Sequence, residues 1–195
     1  LMQIEASLLF LVGGTSRTIA LMVNFLHFVA LQVALVLTLY WAGGKWSFAL
    51  AGLGLLLTTQ FPFAVAGSLS DFRLDFMSFC LYGIVACLVL RSGPFRDWRW
   101  SLGVGVAASI LIWSRFIMAA YFVGILGLMA PIIGLQWLWR WRTGGDRSDV
   151  RRELVCLGGC GAVMAMMVLP VLYSHREAIQ KYYVVGHLTG PEKSI

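Results

Sequence analysis

From Trp100 to Trp139 the chain runs for 40 residues with a single charge, Arg115. One continuous helix of that length would reach about 60 Å, twice the roughly 30 Å hydrocarbon core of a bilayer. The stretch is therefore expected to be two spans, 100–113 and 116–139, turning at Arg115. Reading the remaining apolar runs the same way gives spans at 19–41, 46–66, 76–90 and 154–173. The fold class expected is all-α: a polytopic membrane protein of about six transmembrane helices, several of them short and paired as hairpins, with no soluble domain. The run Ser7 to Val12 is too short to cross, and suits the interface or the end of a further span. Composition supports this class: 59% of residues are hydrophobic and 12% charged, and mean hydropathy is +0.82. A soluble domain carries about 25% charged residues, so a soluble enzyme, a disordered tail and a disulfide scaffold are excluded. A start at Leu1 and an end at Ile195 just after a polar run suggest a piece of a longer protein.

The net charge of +6 would suggest nucleic acid in a soluble protein. Here the basic residues sit between apolar runs, so no nucleic-acid partner is expected and membrane lipids are. One set of connections holds Lys45, Arg91, Arg96, Arg99, Arg140, Arg142, Arg147, Arg151 and Arg152, whereas the short connections on the other side hold Arg17, Arg73 and Arg115. The positive-inside rule assigns the first set, with loops 91–99 and 140–153, to the cytoplasm of a bacterial inner membrane. Trp98, Trp100, Trp137, Trp139 and Trp141 flank those loops as an interfacial aromatic belt.

The outer side then gathers Asp71, Arg73 and Asp75, followed by Arg115 and the segment 174–195. Spans 76–90 and 100–113 are short, about 22 Å for fifteen helical residues, so these charges would lie below the headgroups. Charge at that depth needs a partner or a water-filled cavity. One reading is a pocket for an anionic substrate built from Arg73, Arg115, Asp71 and Asp75; the other is a salt-bridge cluster that fixes a turn. Asp71 and Asp75 share a face if the segment is helical, and all three charges share one if it is extended. Two carboxylates are also able to hold a divalent metal or act as acid and base, though no further ligand motif accompanies them and no metal site is assigned. In the segment 174–195, Ile179, Tyr182 and Tyr183 recur at helical spacing opposite Arg176, Glu177, Gln180 and Lys181. This predicts an amphipathic helix from Ser174 to about Val185 on the outer surface, with Lys181 and Tyr182 over the cavity mouth.

Asn24 and His27 share a face of the first span, where His27 suits either a polar cavity or a hydrogen bond between spans. His187 is either a ligand or an ordinary exposed histidine. Gly103, Gly105, Gly124, Gly127, Gly158, Gly159 and Gly161 suit close helix contacts. Cys80, Cys87, Cys156 and Cys160 all lie in apolar runs and read as packing residues.

Four stretches, SRTIALMVN at 16–24, SDFRLDF at 70–76, WSRF at 113–116 and YYVVGHLTGPEK at 182–193, together resemble the membrane core of GT-C glycosyltransferases. This group includes family 39, protein O-mannosyltransferase-like and aminoarabinose transferase-like enzymes. The resemblance implies transfer of a sugar from a polyprenyl-phosphate-linked donor on the extracytoplasmic face, with Arg73 and Arg115 as candidates for the donor phosphate. It also implies a catalytic carboxylate loop upstream of Leu1, leaving the catalytic residues outside this sequence. The competing classes are a transporter or channel for an anion and a non-catalytic membrane scaffold; no repeat between the two halves marks the transporter class. The orientation predicts that single cysteines at Ser92 and Thr143 label from the cytoplasmic side and those at Ser70 and Ser174 from outside. Equal labelling of all four from outside would overturn it.

Overall fold

A computed structural model describes residues 2–59, 74–93, 95–144 and 148–181. Eight helices and no strand occur among the described residues: α1 Met2–Gly13, α2 Arg17–Gly43, α3 Trp46–Thr58, α4 Leu74–Arg91, α5 Trp98–Ser114, α6 Met118–Thr143, α7 Ser148–Ser174 and α8 Arg176–Ile179. Their ends have local causes. Ser16 caps α2 by accepting from the Ile19 amide at 3.2 Å, and Asp97 caps α5 by accepting from Arg99 and Trp100. Gly44 (φ 64°) and Gly144 (φ 68°) close α2 and α6 in the left-handed region, where a side chain would be strained.

Helix α5 is the centre of the packing. It contacts α4 on one side and α7 on the other; α4 in turn lies against α2, and α2 against α1 and α3. The main core joins Met77, Leu81 and Val85 of α4 with Val104, Ala108 and Leu111 of α5 and Cys156 and Cys160 of α7. Phe28 and Leu31 of α2 meet Phe76 and Cys80 of α4 in a second cluster. Helix α6 touches α5 and α7 more lightly and carries Pro131 in its interior, which removes a backbone hydrogen bond there.

Two helices of the described residues, α2 and α7, are long and apolar enough to cross a membrane. Only 22% and 17% of their most apolar windows are buried. Met22, Phe25, Leu26, Val29, Val33 and Leu37 form an outward stripe on α2, while its inward face carries Asn24 and Thr38 as well as Val23, Phe28 and Leu31. Helix α3 is described for 13 residues, about 20 Å; the rest of the expected 46–66 span lies outside the described residues. Helix α1 packs on α2 as its hairpin partner.

The connections sort the charges onto two ends. Arg91, at the end of α4, lies over the rings of Trp41 and Trp100 from α2 and α5. Arg96 donates from Nε to Glu153 Oε1 of α7 at 2.6 Å, and this hydrogen bond lifts Arg96 above the ordinary guanidinium range. Arg140 reaches Asp149 at 3.9 Å. These contacts define an arginine-rich end. The start of α4 and the end of α5 meet at the opposite end through Asp75 and Arg115. Within the arginine-rich end Ser92 is fully buried, donating to Val89 O and accepting from the Phe95 amide. It is therefore a closed position for labelling, and exposed Thr143 is the usable reporter on that side.

The glycines separate into two groups. A Cβ at Gly105 would sit 2.8 Å from the Cys160 carbonyl oxygen and 3.1 Å from Val163 Cβ, so α5 and α7 approach backbone to backbone there. Gly103, Gly124, Gly127, Gly158 and Gly161 face no such neighbour among the described residues, and Gly159 has only ordinary contact with Leu102. The expectation of close helix contacts at all seven is thus corrected to Gly105. Gly105→Ala is expected to destabilise the fold by about 1–3 kcal/mol through overpacking, whereas Gly158→Ala should hold or slightly raise stability through helix propensity. Thermal unfolding in detergent compares the two directly.

Candidate functional site

Asp75 stands in the first turn of α4, where a carboxylate complements the partial positive charge of the helix start. Helix α5 ends one residue before Arg115, whose backbone is extended (φ −156°, ψ 117°) and whose amide still donates to Leu111 O. This break turns the Arg115 side chain toward α4, and its guanidinium pairs with the Asp75 carboxylate. The two side chains are 43% and 44% exposed, so the pair faces outward. Beneath it lies a buried hydroxyl pair: Ser114 Oγ donates to Leu111 O at 2.6 Å, and Ser78 Oγ lies 3.1 Å from Ser114 Oγ. A serine has one proton to give, so Ser78 is the donor in the second bond. Ser78 sits one helical turn beyond Asp75, and Ser114 directly precedes Arg115. The ion pair therefore rests on a hydrogen-bonded seam between α4 and α5.

Arg115 is thus already paired with Asp75, an exposed ion pair between the start of α4 and the end of α5. A guanidinium carries five N–H donors in a fixed fork, and one carboxylate does not use them all. An incoming phosphate would thus meet an oriented, partly engaged arginine. Asp71 and Arg73, expected to complete the cluster, lie outside the described residues.

Lys181 lies two residues beyond α8, which packs on the end of α7 it follows. Arg176 there stacks over Tyr173, 4.8 Å from the ring centroid. The short helix thus holds to the end of α7, and among the described residues no ion pair joins Lys181 to Asp75. Tyr182, Tyr183 and His187 lie outside the described residues. Among the described residues no group of three metal-ligating side chains comes together.

His27 behaves differently from either expectation. Its Nδ1 bonds to the Val23 carbonyl of its own helix at 2.8 Å, so the proton lies on Nδ1 and the bond stays within α2. The other nitrogen, Nε2, points at α1 and lies 3.7 Å from Glu5 Oε1. Glu5 Oε2 is buried with no hydrogen-bond partner among the described residues. Leu8, Leu9, Val23 and Leu26 complete a cleft of about 290 Å³ around this pair. Sequence reading missed Glu5; the available signal was a lone carboxylate in an otherwise apolar stretch, followed by a helix with a single histidine, His27.

Comparison with protein-family models, curated proteins and solved structures finds no match for this chain.

Because the Asp75–Arg115 pair is open to its surroundings, Asp75→Asn is expected to cost less than about 1 kcal/mol of stability while releasing the guanidinium. A thermal-melt loss several times larger would make the pair a structural clamp instead of an exposed, adjustable contact.

Proposed function

We propose that this chain is part of a polytopic membrane glycosyltransferase of about six spans that draws on a polyprenyl-phosphate-linked sugar donor at the extracytoplasmic face. Membrane placement is supported by the outward apolar faces of α2 and α7 and by the inward location of Asn24, Ser78, Ser101, Ser109 and Ser114. A surface of this polarity suits lipid, with polar groups turned into the helix packing. Antiparallel succession of the helices puts the arginine-rich connections at one end and Arg115 at the other, in keeping with cytoplasmic and extracytoplasmic sides.

The observation that carries the transferase reading is Arg115 itself: an exposed guanidinium, oriented by Asp75, at the end opposite the basic loops. In transfer from such a donor the bond from the sugar to the phosphate breaks, and negative charge grows on the departing polyprenyl phosphate. A fixed guanidinium at that point stabilises the charge as it develops and matches phosphate oxygens with its fork. Arg73 and Lys181 are the further candidates for this contact, Asp71 and Asp75 orient the arginines, and no catalytic acid or base is assigned.

The Glu5–His27 pair favours a second reading, an anion transporter coupled to protons, since ionisable pairs among apolar helices are the usual elements of proton relays. Variants of the whole protein separate the two. Under the transferase reading Arg115→Ala raises the donor KM by about 10- to 100-fold, the loss of one charge-assisted hydrogen bond, and Glu5→Gln leaves transfer unchanged. Unchanged transfer in Arg115→Ala would remove Arg115 from donor binding, and proton-dependent anion uptake abolished by Glu5→Gln would establish the transporter.

A further inference from the structure

The arginine-rich end contains a built cleft that the proposed donor site, at the opposite end, does not use. Its framework is the connection between α4 and α5. Ser92 O accepts from the amides of Arg96 and Asp97 at 2.8 and 2.9 Å, and Ser92 Oγ accepts from the Phe95 amide at 2.8 Å. Phe95 holds a positive φ of 65° with its ring fully buried. Such a backbone costs about 1 kcal/mol or more in a residue with a side chain, and burial of the ring offsets it. The connection is therefore pinned at both faces, and the arginines on either side of it are held in place.

Around it, Trp41, Arg91, Arg96, Asp97, Trp100 and Arg152 line a cleft of about 300 Å³. Arg96 is taken up by Glu153, and Asp97 by the cap of α5. Arg91 and Arg152 have no carboxylate partner among the described residues. Arg91 is fixed between two rings, 4.7 Å from Trp41 and 5.2 Å from Trp100, so its charge is oriented by stacking and its N–H edge stays open. The same three residues, Trp41, Arg91 and Trp100, also border a second space of about 360 Å³ that is apolar and runs between α2 and α4 beside Leu37, Cys87 and Leu88. An anion-seeking cleft and an apolar groove thus share one wall, with a guanidinium at the junction.

That juxtaposition selects the ligand. Inorganic phosphate would satisfy the arginines and leave the groove bare. A zwitterionic lipid would bring its own cation against surplus positive charge. We propose that cleft and groove form one site for an anionic glycerophospholipid, with the phosphate on Arg91 and Arg152 and an acyl chain along the groove beside Leu37 and Leu88. The site rests on the membrane placement argued above and is independent of sugar transfer. Basic clusters at the cytoplasmic boundary attract anionic headgroups in general; the stacked Arg91 and the attached groove make this a discrete position for one molecule.

The test is native mass spectrometry of the chain purified in nonionic detergent and offered phosphatidylglycerol, phosphatidylcholine or inorganic phosphate. Phosphatidylglycerol is expected to bind one per chain, at least tenfold better than phosphatidylcholine, and to resist displacement by inorganic phosphate. Arg91→Gln with Arg152→Gln should lower its binding about tenfold or more. Arg99→Gln with Arg142→Gln, which removes two exposed charges from the same end outside the cleft, should keep it. Leu37→Trp, which leaves every charge in place and fills the groove, should also lower binding; it decides the matter if the arginine variant fails to fold. Equal loss in the two double variants, binding that survives Leu37→Trp, or ready displacement by inorganic phosphate would overturn the site. Alkaline carbonate extraction keeps this separate from the membrane reading: a chain released by carbonate defeats that reading, whereas a chain retained in membranes with no preference for phosphatidylglycerol defeats the lipid site alone.

Discussion

The close approach of α5 and α7 at Gly105 is the contact on which the remaining packing depends. Without a side chain at that position, the α7 backbone at Cys160 comes against α5, and the other face of α5 stays available for α4. The residues around it keep α5 slim. Ser101 and Ser109 are buried, and each returns its hydroxyl to a carbonyl of its own helix, Asp97 O at 2.6 Å and Gly105 O at 2.8 Å. A serine bonded in this way presents little more than a methylene to its neighbour. Ala107 and Ala108 add no bulk. Helix association in an apolar medium draws on such close van der Waals contact, since burial from water contributes little there.

Two polar fastenings hold the ends of this assembly, and they differ in character. At the arginine-rich end Glu153 is 5% exposed and receives a short bond from Arg96, so removal of the arginine would leave a buried carboxylate without its counter-charge. At the other end Asp75 and Arg115 are both well exposed and contribute little to stability. A strong fastening beside a pinned connection and a weak one at an open helix end suit different tasks. The first preserves geometry. The second leaves a guanidinium exposed beside its carboxylate.

The half-buried Glu5–His27 neighbourhood is a third polar feature, and it differs again. It sits partway along α2, where the surrounding side chains are aliphatic, and it joins α1 to the assembly by a contact of 3.7 Å. Hydrogen bonding of Nδ1 to Val23 O fixes which nitrogen faces the carboxylate. Because α1 is twelve residues long and marginal alone, this pairing and the contact of Ala6, Leu9 and Phe10 with the main core are what seat it.

Much of the helix layout was legible from residue order. Expected spans 19–41, 76–90, 100–113 and 116–139 lie close to Arg17–Gly43, Leu74–Arg91, Trp98–Ser114 and Met118–Thr143. Their boundaries arise from local chemistry: apolar runs, a capping serine or aspartate, a glycine in the left-handed region. The segregation of arginines to one set of connections was legible for the same reason, since it is a property of position along the chain. Among the described residues, α2 and α7 are the helices long and apolar enough to cross a membrane. Side-chain partnership was hidden. Seven glycines looked alike in sequence, and only the rotation of α5 against α7 singled out Gly105. Arg115 read equally as a pocket cation or as part of a salt-bridge cluster until the extended backbone after Ser114 turned it onto Asp75, and Glu5 had no visible partner until α1 folded back on α2. An apolar run specifies that a helix forms and roughly where it stops. Which of its faces meets which neighbour depends on rotation about the helix axis, and that is set by side chains packing from elsewhere in the chain.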